Sequence, residues 1–167
     1  GVGGALIDLL IAAGARVSFT DLSPEVASRA SARGARFLPS EEIFDSSCDV
    51  FSPCALGGVL NRETIPRLRC RAVVGGANLQ LAEPADLDRL RERRILYAPD
   101  FVVNIGGAMA ITGMESFGWT RAQAEDRVRQ VRMTLRRVYE LSRDEGLTTE
   151  AAARRIAVEN LERAAAR

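Results

Sequence analysis

The sequence predicts an α/β fold: a doubly wound parallel sheet followed by C-terminal helices. Three observations carry that expectation. Strand-like and helix-like segments alternate from the start of the chain to about residue 118. The strand-like segments end in Gly, Pro, Asn or Asp, as strands do when they lead into turns. From Thr120 onward only helical periodicity remains. The chain has 167 residues, a length that suits one domain, and 47% hydrophobic residues are ample for a core. The expected division is a sheet-bearing region over 1–118 and helices over 119–167 packing on the same domain.

The elements follow in order. A helix starting near Gly4 places Ala5, Leu6, Leu9, Leu10 and Ala13 on one face and ends at Gly14, in the position of a C′ glycine. Arg16 to Asp21 alternates as a strand. Ser23-Pro24-Glu25 starts a helix, with Ser as N-cap, Pro at N1 and an acid in the first turn. That helix runs to about Arg33 and stops at Gly34. Ala35 to Leu38 is a short strand, and Ser40 to Phe44 a short helix.

Asp49 to Ser52 reads as a buried strand ending at Pro53-Cys54-Ala55. Asn61 to Ile65 makes a brief helix broken at Pro66. Arg71 to Val74 is a strand ending at Gly75-Gly76-Ala77-Asn78. Pro84 to Arg94 is a charged amphipathic helix. Ile95 to Ala98 is a strand, and Asp100 is placed to N-cap a helix beginning near Phe101. Val128, Val131, Leu135, Val138 and Leu141 form one stripe on a long helix that Gly146 ends. Thr148 or Thr149 caps the last helix, which carries Ile156 and Leu161.

Composition excludes several function classes. The 23 basic and 22 acidic residues leave a net charge of +1, so there is no electrostatic case for nucleic acid. The apolar runs are short and broken by Gly, Pro or Asp, so no membrane span is expected. No signal peptide is visible and the first residue is not Met. Cys48, Cys54 and Cys70 are odd in number and lack metal-ligand spacing, which points to reduced thiols in a cytoplasmic protein without a metal site. All 23 basic residues are arginine, and there is no histidine. Arginine stays charged and is a poor proton shuttle. A histidine base, a Schiff-base lysine and a Walker-type lysine are therefore excluded from this segment.

The Gly1-Val2-Gly3 turn runs straight into a helix, and Asp21 closes the next strand. In a dinucleotide-binding βαβ unit, glycines let the backbone approach the pyrophosphate at a helix N-terminus, and an acid further on holds the ribose hydroxyls. Two alignments of that fingerprint exist. With Gly1 and Gly3 as its first two glycines, the third position falls on Leu6, which would hinder helix–sheet packing. With Gly3 as the third glycine, the first strand and two glycines lie upstream of residue 1; this alignment is favoured. The fold class is then a Rossmann-type sheet lacking its first strand. An ordinary glycine-rich turn is the plainer alternative.

In open parallel sheets, ligands bind beyond the C-terminal ends of the strands. Thr20-Asp21, Pro53 to Gly57, Gly75 to Asn78, and Pro99-Asp100 leading to Asn104-Ile105-Gly106-Gly107 would converge there. Asp21 accepts hydrogen bonds from a diol and repels a 2′-phosphate, so NAD is favoured over NADP. Small residues at 54–58 and 75–77 let the backbone come close to a flat ligand. Asn78 and Asn104 can each donate and accept. Singly, such glycines and asparagines are also ordinary turn residues. Cys54 has no base near it in sequence and is not expected to be catalytic.

At these strand ends the sequence resembles the leucine/phenylalanine/valine dehydrogenases, a branch of the glutamate dehydrogenase superfamily. The resemblance is collinear over nearly the whole chain. It rests most specifically on Pro53-Cys54-Ala55-Leu56-Gly57, Gly75 to Leu81, and Tyr97-Ala98-Pro99-Asp100 through Asn104-Ile105-Gly106-Gly107. It implies oxidative deamination of a branched-chain or aromatic L-amino acid to its 2-oxo acid and ammonia, with hydride passed to NAD. It also implies that a catalytic lysine and aspartate lie in a separate N-terminal domain, so this chain carries no catalytic residue and is inactive alone. The parent enzyme is expected to be a homo-oligomer.

By position the resemblance assigns Gly1, Val2 and Gly3 to the pyrophosphate turn and Asp21 to the adenosine ribose. Cys54, Ala55 and Leu56 fall on the adenine and ribose side, and Asn78 near the nicotinamide ribose. Asn104 falls near the nicotinamide and the substrate, and Ala108 and Ile111 in the side-chain pocket. The sequence departs from the family at Leu79, where a second Asn is frequent, at Ile105, which replaces a common Ala, and at Ala110, often polar. Without the resemblance, a stand-alone nucleotide-binding or regulatory module and another Rossmann oxidoreductase remain open.

Overall fold

In a computed structural model the described residues are 1–166. The architecture is mixed α/β with parallel strands. α1 (Val2–Ala12), β1 (Ser18–Phe19), α2 (Pro24–Ser31) and β2 (Arg36–Phe37) form the first unit. β3 (Val50–Phe51), β4 (Ala72–Val73), α3 (Ala85–Glu92) and β5 (Leu96–Tyr97) form the second. Then come α4 (Asp100–Val103), α5 (Gly106–Phe117), α6 (Arg121–Arg129), α7 (Val131–Glu145) and α8 (Thr149–Ala165).

β1 pairs only with β2, while β3, β4 and β5 make a three-stranded sheet in that order, all parallel. The expected single sheet is therefore two sheets among the described residues. β1 and β3 each keep one unpaired edge, because neither pairs with the other.

Each unit has its own core. Phe19, Ala30 and Ala35 pack with Ile7, Ile11, Val17 and Ala27 in the first. Leu60, Ile65, Leu68, Val73, Leu90, Ile95 and Tyr97 form the second, under β3–β5. Val102, Val138, Ala152, Ala153 and Ile156 join α4, α7 and α8 in the third. Each fully buried aliphatic side chain contributes roughly 1.5–3 kcal/mol. Across the first core, Arg33 donates to both oxygens of Asp8 at 2.9 and 2.7 Å, tying the end of α2 to α1.

Local chemistry sets the boundaries. α1 ends as expected: Gly14 takes φ +83°, its N–H donates to Ile11, and the Ala15 N–H donates to Leu10. These are the paired bonds of a Schellman cap. The helix starts earlier than its apolar pattern implies, so Val2 and Gly3 lie in its first turn with Gly1 as N-cap. Ser23 caps α2 through the Val26 N–H. Asp100 is the first residue of α4 rather than its cap, since Pro99 occupies that place.

The expected helices at 40–44 and 61–65 are instead 3-10 turns at Ile43–Asp45 and Ile65–Arg67, the second accommodating Pro66 at its start. The long helix expected after Thr120 is two helices broken at Gln130. The break turns Val128 toward α5, where its Cγ1 would lie 3.1 Å from a Cβ placed on Gly106. Leu135 and Val138 face the α4–α8 core.

α5 closes at Gly118 with φ +64°, and the following Trp119 folds back so that its N–H donates to the Gly113 carbonyl at 3.0 Å. A Cβ on Gly113 would fall 1.9 Å from the indole. Gly113→Ala is therefore expected to destabilise the protein by about 1–3 kcal/mol despite alanine's better helix propensity. Denaturant unfolding checks this; an unchanged or raised midpoint contradicts the packing described.

Candidate functional site

The turn after β3 lies directly on the turn after β4. A Cβ on Gly75 would sit 2.2 Å from the Pro53 carbonyl oxygen, so only glycine fits there. Two residues on, the Ala77 N–H donates to that same oxygen at 2.9 Å. The N-terminus of α1 rests on this pair of turns. A Cβ on Gly3 would meet the Cys54 Cβ at 3.3 Å, and one on Gly76 would meet Val2 Cγ1 at 2.8 Å. α1 carries no side-chain cap, so its first N–H groups point outward with the positive end of the helix dipole.

A polar frame holds the second turn from below. Gln80 is fully buried, and its Nε2 donates to the carbonyls of Gly75 and Ala77, each at 2.9 Å. Its Oε1 has no partner among the described residues. Its backbone N–H donates to Asp100 Oδ2 at 3.2 Å, and Asp100 Oδ1 accepts from the Phe101 N–H at 2.7 Å. Burial pushes the neighbouring Tyr97 phenol well above its ordinary range, and the Asp100 charge adds to that. Tyr97 is therefore a neutral packing residue at working pH, not an acid or base.

Above this frame, Asn104 at the end of α4 donates from Nδ2 to Asn78 Oδ1 at 2.6 Å and to the Ala77 carbonyl at 3.3 Å. Leu79 between these groups takes φ +51° and is 79% exposed. A Cβ on Gly57 would come 2.9 Å from the Leu79 carbonyl, and the Gly58 N–H donates to that carbonyl at 2.7 Å.

Of the sequence-predicted site residues, Val2, Gly3 and Cys54 thus meet at one point, and Asn78 and Asn104 are hydrogen-bonded through the adjoining turn. Gly1 has open space where a side chain would be. Asp21 stands just beyond β1, exposed, with Oδ1 accepting from the Ser23 N–H at 2.9 Å. It makes no hydrogen bond to the other site residues among those described. Ala55, Leu56, Ala108 and Ile111 are exposed; Ala108 and Ile111 lie one turn apart on α5. Cys54 Sγ lies 3.6 Å from Ser52 Oγ. Among the described residues, no group of three or more His, Cys, Asp or Glu could hold a metal, and no helix is long and apolar enough to cross a membrane.

The arrangement offers backbone donors, close approach and two amides. Sequence puts Asp100 at a strand end that leads into the crevice, but only burial gives Gln80 and Asp100 their framing role.

A model of the glutamate/leucine/phenylalanine/valine dehydrogenases matches residues 5–167. The chain belongs to this family. A leucine dehydrogenase of Thermoactinomyces intermedius is 40% identical over 150 residues, covering 89% of this chain and 41% of that protein. A phenylalanine dehydrogenase of Caldalkalibacillus thermarum is 33% identical over 170 residues, covering 98% of this chain and 46% of that one. The crystal structure of L-tryptophan dehydrogenase from Nostoc punctiforme superimposes with a TM-score of 0.92 at 34% identity, covering 97% of this chain and 49% of that chain. The chain thus spans less than half the length of these dehydrogenase relatives.

Leu79 holds its backbone in the left-handed region. A positive φ costs a branched apolar residue about 1–2 kcal/mol, and Asn tolerates it better. Leu79→Asn is expected to stabilise the protein by up to about 1 kcal/mol, since an exposed leucine loses little burial. A lower unfolding midpoint for the variant contradicts this.

Proposed function

We propose that this chain is the NAD-binding part of an amino-acid dehydrogenase. The parent enzyme would convert a branched-chain or aromatic L-amino acid and water to its 2-oxo acid and ammonia, passing hydride to NAD. The observation that carries this reading is the packing of the α1 N-terminus on Cys54 and Gly76, at the ends of β3 and β4. It sets uncapped N–H donors beside the glycine turns at those strand ends, which suits a pyrophosphate. Family membership supports it independently.

In this reading NAD supplies the hydride acceptor, and the residues of the chain bind and orient it. Gly1, Val2 and Gly3 let the pyrophosphate approach the helix end. Asp21 holds the adenosine ribose through Oδ2, the oxygen that the Ser23 N–H leaves free. Cys54, Ala55 and Leu56 line the adenine side. Asn78 contacts the nicotinamide ribose. Asn104 is oriented by its bonds to Asn78 and Ala77, so its carbonyl oxygen remains for the nicotinamide amide or the substrate ammonium. Ala108 and Ile111 shape the substrate side-chain pocket.

The unpaired edges of β1 and β3 suit a further parallel strand between them, which would join the two sheets into one Rossmann sheet over 1–118, with helices 119–167 packed on it. No residue of this chain serves as the proton carrier, so that role falls to another part of the parent enzyme. The parent is a cytoplasmic homo-oligomer acting on small molecules, with neither nucleic acid nor membrane as partner.

In the complete enzyme, Asp21→Ala removes charged hydrogen bonds to a diol and should raise the NAD Kd by roughly 10- to 100-fold. Titration of NADH fluorescence reads this, and an unchanged Kd overturns the assignment. Purified residues 1–167 should form no NADH from leucine, valine, isoleucine or phenylalanine. Amino-acid-dependent turnover by this segment would refute the absence of a catalytic group.

A further inference from the structure

Cys48 and Cys70 lie far apart in sequence but occupy matching positions just before the parallel strands β3 and β4. Val50 pairs with Ala72, Phe51 with Val73, and Ser47 with Arg69, all in one register. That register sets Cys48 opposite Cys70, and the Cys48 N–H donates to the Arg69 carbonyl at 3.2 Å. Neighbouring strands lie about 4.8 Å apart, inside the roughly 4.4–6.8 Å range of Cα separations that a disulfide spans.

We propose that Cys48 and Cys70 form a redox-modification site, closing to an intramolecular disulfide by exchange with a small-molecule disulfide of the glutathione type. The two thiols differ in access. Cys48 is exposed, whereas Cys70 is half-buried against the core of Leu60, Leu68 and Val73. Cys48 is thus the entry thiol and Cys70 the resolving one. The Cys48 thiolate attacks one sulfur of oxidised glutathione, forming a mixed disulfide and releasing one glutathione thiolate. The Cys70 thiolate then attacks the Cys48 sulfur and releases the second. Two electrons pass from the protein to the reagent, and the two thiol protons leave with the two glutathiones.

The surroundings set the pace. Partial burial raises the Cys48 thiol, and Asp49 raises it further. Burial also raises Cys70, as does the charge of Cys48 beside it. Little thiolate exists near neutrality, so closure is slow and should accelerate nearly tenfold per pH unit between pH 7 and 8. The pair sits at the N-terminal ends of β3 and β4, whereas Cys54 lies past the opposite end of β3 against α1. The disulfide therefore staples the two strands without entering the candidate ligand site.

The test treats the purified native protein with oxidised glutathione. Cleavage at Asp49 and after the arginines puts each cysteine on its own peptide. The expected product is a Cys48–Cys70 cross-link, lighter by two hydrogens and reversed by dithiothreitol, with Cys54 outside it. Cys70→Ser should stop at glutathionylated Cys48, and Cys48→Ser should give no cross-link. Three free thiols after prolonged exposure overturn the proposal. So does a cross-link to Cys54, or a mixed disulfide that persists in the wild-type protein.

Discussion

Backbone contact between two strand-end turns governs the rest of the structure. Pro53 lies so close to Gly75 that a single added carbon would fall 2.2 Å from its carbonyl oxygen. The contact is sealed when Ala77 donates to the same oxygen. With the turns locked, Gly76 offers a flat seat for Val2 at the start of α1, and the Ala77 carbonyl is left for Asn104. Gln80 secures the turn from within by bonding the carbonyls of Gly75 and Ala77. An uncapped helix end and a pair of amides are thereby held on one backbone frame.

The frame rests on a division of packing. The core beneath β3–β5 anchors the two turns, and the α4–α7–α8 core anchors Val102, two residues before Asn104. The first core holds α1 against α2 and β1, which places Asp21 on a separate sheet from the amides. Surface ion pairs such as Arg121–Glu125 and Arg136–Glu140 decorate the C-terminal helices. At their exposure each adds only a few tenths of a kcal/mol. Buried apolar contacts and the Gly113–Trp119 contact therefore decide how those helices sit.

Neither the tyrosines nor the arginines shuttle protons near neutrality. Burial pushes Tyr139 up to about 12 and Tyr97 higher still, so neither phenol exchanges a proton near neutrality. Arginine supplies every basic side chain and cannot act as a base.

Much was legible in sequence because it depends on local chemistry. The Gly14 cap, Ser23 at the N-cap of α2, the alternation of elements and the strand-end motifs all follow from residue type and spacing. The break at Gln130 was not, since apolar spacing runs through it while α6 packs on α5 and α7 packs on α8. Gln80 reads as an ordinary polar residue until burial leaves it as the donor to two carbonyls. Cys48 and Cys70 read as unrelated thiols until strand register sets them opposite each other. The sequence by itself determined the α/β class, the family motifs and the absence of histidine and lysine, because these are properties of residue identity and order. Tertiary structure decided which strands pair, which groups are buried and which residues touch, because register and close packing arise only when distant segments meet.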